Sequence, residues 1–225
     1  MSELPEYTIK KSKRKTLSIY IERDGSISVL APENKSDTEI EEVVKKKSFQ
    51  IFRFLAEKEE LNASRSTREP VSGETYTYLG RNYQLQLVEG QDVPLMLKEG
   101  HFLLSKKHRN DIQEVFKDFY RKKGLLKIKK RVDFYKEKMG VSPAEIRVME
   151  LKNRWASCNK KGDLNFHWKC MMAPLSIIDY IIVHELAHLR HDNHSEAFWN
   201  EVDKVMPDYR ERKNWLKFKG AGMDL

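Results

Sequence analysis

The chain has 225 residues, with 42 Lys+Arg against 34 Asp+Glu and a net charge of +8. That length holds one large or two small domains with a real core, and 40% apolar with 10% aromatic residues excludes disorder as the dominant state. No apolar run exceeds four residues, which excludes a membrane-spanning helix, and two cysteines, Cys158 and Cys170, are too few for a disulfide framework or a four-cysteine zinc site.

The chain opens in β pattern. Leu17, Ile19 and Ile21 alternate with polar residues, Asp24-Gly25 suits a turn, and Ile27 and Val29 resume the alternation. Ser36-Asp37-Thr38-Glu39 has the form of a capping box, with Ile40, Val43, Val44, Ile51, Phe54 and Leu55 following at helical spacing. A long amphipathic helix is expected over 37–60, then a polar linker over 62–70. Strand patterns return at 76–79 and 83–88, and shorter ones at 94–97 and 102–104. The character changes near residue 105, so the expected organisation is a β-rich N-terminal region over 1–105 and a second domain over 106–225. Helical spacing runs across 111–139 with a possible break at Gly124, and Gly140 suits the helix end. A hairpin is expected between 146–151 and 164–168. Ser176-x-x-Asp179 has the form of a cap for a helix running to about residue 190, Asp192-Asn193 interrupts, and two more helices cover 195–206 and the stretch after Asp208.

The chemistry is concentrated in His184-Glu185-Leu186-Ala187-His188. Residues four apart on a helix lie one turn apart on the same face, so the two imidazoles can chelate one ion. Zinc suits them because it takes neutral nitrogen ligands in tetrahedral geometry. Glu185 is placed to take a proton from a water at that ion. Ile178, Ile181, Ile182, Leu186 and Leu189 give the helix a buried side. A catalytic zinc needs a third protein ligand, and the candidates are His191, His194, Glu196 and Glu201. His194 ranks first, because Asp192-Asn193 lets the chain turn back. Its spacing is also that of the metzincin pattern, although His191 stands where that pattern has glycine. Surface histidines of no function explain one imidazole well, but not this constellation.

Several runs taken together resemble the YgjP-like zinc metallopeptidases, relatives of the SprT-like proteases. They are Arg154-Trp155-Ala156-Ser157-Cys158, Leu164-Asn165, His184 to Leu189, Asn193-His194-Ser195-x-x-Phe198-Trp199 and Pro207-Asp208-Tyr209. Lys15-Thr16, Ala31-Pro32, Ser72-Gly73-Glu74 and Tyr78-Leu79-Gly80 extend the likeness over nearly the whole chain. Ala156 departs from the family's usual glycine. The resemblance implies an α+β, zincin-like fold, with the HExxH helix packed on a small sheet. It also implies one Zn2+ on His184, His188 and His194, Glu185 as general base, and a protein or peptide substrate.

The segment 154–158 is expected beside the cleft, where it or 164–168 could pair with an extended peptide. Arg154, Trp155 and Asn165 are the candidate substrate-binding residues. Cys158 reads as an ordinary free thiol rather than a ligand. Arg154, Tyr180 and Tyr209 are open choices for stabilising an oxyanion. Phe198, Trp199, Trp215 and Leu216 read as packing. The leading function is a zinc-dependent peptidase. The alternatives are a DNA-associated protease acting on DNA-bound proteins, for which scattered basic runs give weak support, and a binding module with non-catalytic zinc. Met1-Ser2-Glu3-Leu4-Pro5 lacks the plan of a secretory signal, so the cytoplasm is the expected compartment.

Overall fold

The computed structural model describes residues 6–21, 26–63, 70–152 and 154–225. The expected turn at Asp24-Gly25 and most of the expected linker at 62–70 lie outside the described residues, as does the side chain of Phe54. Two compact units divide between Ser66 and Thr67.

The first unit holds strands β1 (Tyr7–Ser12), β2 (Ser18–Ile21) and β3 (Ile27–Pro32), then helix α1 (Asp37–Ala63). β3 is central, parallel to β1 and antiparallel to β2. Its near-continuous apolar run is buried, as a strand covered on both faces requires. The capping box forms in both directions: the Ser36 N–H donates to Glu39 Oε2 at 2.9 Å, and the Glu39 N–H to Ser36 Oγ at 3.2 Å. Ile40, Val44 and Ile51 pack on Val29 and its neighbours, whereas Val43 stays partly exposed.

The second unit opens with β4 (Thr75–Tyr78), β5 (Arg81–Val88), β6 (Leu95–Lys98) and β7 (His101–Ser105), ordered β4-β5-β7-β6. A 3-10 turn leads into α2 (Ile112–Met139), which runs unbroken through Gly124. There the missing side chain makes room: a Cβ at Gly124 would sit 3.0 Å from Met171 Cγ. Gly140, at φ +61°, ends the helix, its N–H bonding back to Glu137 O. The division expected at residue 105 is not where the chain separates. Phe102 and Leu104 of β7 share one core with Phe116, Tyr120 and Trp168, and the Tyr76 ring stacks on Phe116 at 4.2 Å.

Then come β8 (Ile146–Met149), β9 (Ala156–Cys158), β10 (Leu164–His167), α3 (Leu175–Ala187), α4 (Glu196–Val205) and α5 (Tyr209–Lys219). The expected hairpin needs correction. β8 and β10 pair in parallel, and the antiparallel partner of β10 is β9. The tight turn belongs to Asn159 and Gly162: the Asn159 side chain accepts the N–H groups of Lys161 and Asp163, each at 2.9 Å. The start of α3 is corrected too. Pro174 precedes it, and Ser176 caps nothing. Asp179 instead receives Arg131 of α2 through two bonds of 2.7 and 2.6 Å. The helix closes at Ala187 rather than near residue 190. The fold is therefore mixed α+β, with α3 packed against α2, α4, α5 and β9. No described helix is long and apolar enough to cross a membrane.

Candidate metal centre and cleft

Helix α3 buries Ile178, Ile181, Ile182 and Leu186 in the core, which turns His184 and His188 outward on one face. The chain then turns at Asp192-Asn193. Asn193 Oδ1 accepts the Ser195 N–H at 3.2 Å, and this turn brings His194 back over the helix end. The candidate nitrogens of His184, His188 and His194 all lie within 4.8 Å of one another. His194 Nε2 stands 3.0 Å from His184 Nε2. His191 does not join them. Its carbonyl accepts the Nδ1–H of His188 at 2.9 Å, which leaves the Nε2 lone pair of His188 directed elsewhere.

One side chain supports all three rings. Phe198 of α4 is fully buried, with its centroid 5.0, 4.7 and 4.7 Å from those of His184, His188 and His194. Trp199 stacks on His194 at 5.7 Å and is itself stacked on Tyr209 at 5.1 Å. The sequence reading placed Phe198 and Trp199 in the core but missed that they form the floor beneath the imidazoles. The available signal was position: Phe198 falls in the first turn of the helix that follows His194.

The donor set fits a divalent cation. Burial, followed by the neighbouring His188, His194 and Lys213, pushes His184 down to about 3, so its ring is neutral at physiological pH. Burial lowers His194 as well. Among the described residues, the buried Nδ1 of His184 has no hydrogen-bond partner. Neutral imidazoles converging on one point are what a metal of zinc's ligand preference requires.

Glu185, next to His184 on α3, is 6% exposed and lines the same cleft, a cavity of about 500 Å³. Burial pushes its carboxyl up to about 7, against the opposing pull of the Cys158 backbone N–H and of Arg154. β9 and its flanks line the cleft through Arg154, Ala156, Ser157, Cys158 and Lys160, and Asp192 lines it from the turn after α3. β9 is an edge strand. Burial holds the Cys158 thiol up at about 11, so it stays protonated and its Sγ–H reaches the Asn159 carbonyl. Tyr180 has its ring 6.0 Å from His184, and burial pushes its hydroxyl up to about 12.

Of the three candidate substrate-binding residues, only Arg154 lines the cleft. The Trp155 side chain packs against Gly220, where an added Cβ would meet the indole at 2.8 Å. Asn165 sits on the central strand β10, between Arg147 and Ser157.

A histidine pair one turn apart with a glutamate between, and a third histidine turned back onto it, is a donor arrangement that suits a metal-dependent hydrolase. A family model described as "YgjP-like, metallopeptidase domain" matches residues 15–219. The chain belongs to the YgjP-like metallopeptidase family and is a peptide-bond hydrolase. A solved structure titled "Crystal structure of the metallopeptidase zymogen of Pyrococcus abyssi abylysin" is 29% identical over 39% of this chain and 89% of that chain, with a TM-score of 0.37. No curated protein matches the chain.

Proposed function

We propose that this metallopeptidase is zinc-dependent and zincin-like, with His184, His188 and His194 as metal ligands and Glu185 as general base. The observation that carries the reading is the convergence of three imidazoles beside one buried carboxyl group. When bound, the ion supplies Lewis-acid polarisation of the scissile carbonyl and acidifies water. The chain's own residues do the rest. Phe198 and the His191 carbonyl hold the imidazoles in orientation. Glu185, poised near neutrality, takes the proton of the attacking water at its carboxylate and passes it to the leaving amine. The Cys158 N–H, bonded to that carboxylate, fixes its direction. An extended substrate pairs with the open edge of β9.

The test is Glu185→Gln. Peptide hydrolysis should fall by roughly 10²–10⁴-fold, the usual worth of a general base, with the metal retained. Undiminished cleavage would reject Glu185 as the base. Stoichiometric zinc without cleavage of any peptide by the wild type would favour a non-catalytic binding module.

A further inference from the structure

The second unit engages most of its arginines. Arg131 is clamped to Asp179, Arg147 to Glu145, Arg190 to Glu201 and Arg212 to Asp208. Arg154 is different. It is exposed on the cleft wall two residues before β9, and among the described residues it makes no hydrogen bond or ion pair. A guanidinium presents its donors as a planar fork matched to a carboxylate. Arg154 pulls on the Glu185 carboxyl without bonding to it, which leaves that fork open to an incoming ligand.

The surroundings have the same sign. Lys160 lies on the same wall, also exposed and without an ion pair among the described residues. Lys213 stands over the Trp199 ring at 4.1 Å. Two acidic groups face this space, Glu185 and Asp192. Glu185 is buried and belongs to the reaction, and Asp192 lies on the turn between α3 and α4 with the histidines. A peptide lying along β9 therefore meets cations first.

We propose that Arg154 makes the cleft selective for peptides carrying an aspartate or glutamate beside the scissile bond. This rests on the peptidase reading above and adds the substrate class. Arg154 receives the substrate carboxylate in a two-pronged bond, Lys160 adds attraction from the same wall, and the acidic side chain sets the register of the peptide on β9.

The experiment uses the full zinc-supplemented chain and matched fluorogenic peptides that differ only by Glu, Gln or Lys at each position flanking the cut. In the wild type, kcat/KM for the Glu peptide should exceed that for the Gln peptide by about tenfold or more, the scale of one well-made charged contact. Arg154→Gln should bring this ratio to about one, mainly through KM. Arg154→Lys should keep part of the preference, and Arg154→Glu should turn it toward the Lys peptide. The ratio is measured within each variant, so partial misfolding does not affect it. Charge-blind cleavage by the wild type, or a ratio untouched in Arg154→Gln and Arg154→Glu, would overturn the proposal and leave the peptidase reading standing. An equal loss of kcat on all three peptides in Arg154→Gln would also overturn it, because it would make Arg154 a stabiliser of the transition state. Failure of the wild type to cut any peptide would remove the underlying reading, and the selectivity with it.

Discussion

His184 and Glu185 lie side by side on α3, and burial moves their pKa values in opposite directions, which sets how the metal-free protein responds to pH. Glu185 has a folded pKa of about 7, above its ordinary 4.5. The fold therefore binds its proton more tightly than the unfolded chain does. That contribution is complete below pH 4.5 and is lost as pH rises through 7. His184 has the opposite sign. Its folded value of about 3 lies below 6.5, so its contribution is present above pH 6.5 and is lost as pH falls toward 3. Glu185→Gln removes the first effect alone. In metal-stripped protein, the unfolding free energy of this variant relative to wild type should be higher at pH 7.5 than at pH 4.5, by on the order of 3 kcal/mol for the full shift, read by chemical unfolding. An equal offset at both pH values would mean that Glu185 is not desolvated in solution. Phe198→Ala tests the floor beneath the rings. It should cost about 3–5 kcal/mol of stability as a core truncation and lower metal affinity by about 10–100-fold, read by chelator competition. Unchanged affinity would show that the imidazoles are oriented without it.

At the scale of elements, the pairing of α2 with α3 holds the helix that carries His184 and Glu185 in place. Arg131 and Asp179 form its polar clamp, with the Asp179 side chain only 9% exposed. Arg131→Met leaves that carboxylate buried without its partner and should cost about 3 kcal/mol, measured by chemical unfolding. The double variant Arg131→Met/Asp179→Leu should recover much of the loss, because it removes the stranded charge. A double variant as unstable as the single one would contradict this. Gly124→Ala, which usually strengthens a helix, should weaken this one, since the new methyl meets Met171. The sequence showed some of these elements clearly and others not at all. The capping box at Ser36 and the helix stop at Gly140 are local signals, and each formed as read. The β8-β10-β9 order was not legible, because strand pairing between distant segments leaves no local trace. A three-residue strand at Ala156–Cys158 also falls below what alternation can reveal. Asp179 was misread for a physical reason: a Ser-x-x-Asp pattern looks like a cap, yet the carboxylate found a stronger partner 48 residues away.

For the molecule as a whole, the candidate site and the core beneath it belong to the second unit, Thr67–Leu225, while the first unit closes its own small core around Val29 and Ile40. The composition change near residue 105 was real, but it marks a passage from sheet to helix inside one core. Apolar residues on both sides of it meet in three dimensions, and sequence order does not show that. Residues 67–225 produced alone should fold cooperatively and bind one equivalent of metal. An unfolded fragment, followed by circular dichroism, would show that the second core depends on the first unit. The account as a whole depends on where the metal sits, so the most direct test is anomalous diffraction at the zinc edge from crystals of the full chain. The expected result is a single peak bounded by His184, His188 and His194. A peak elsewhere, or none after zinc soaking, would contradict it.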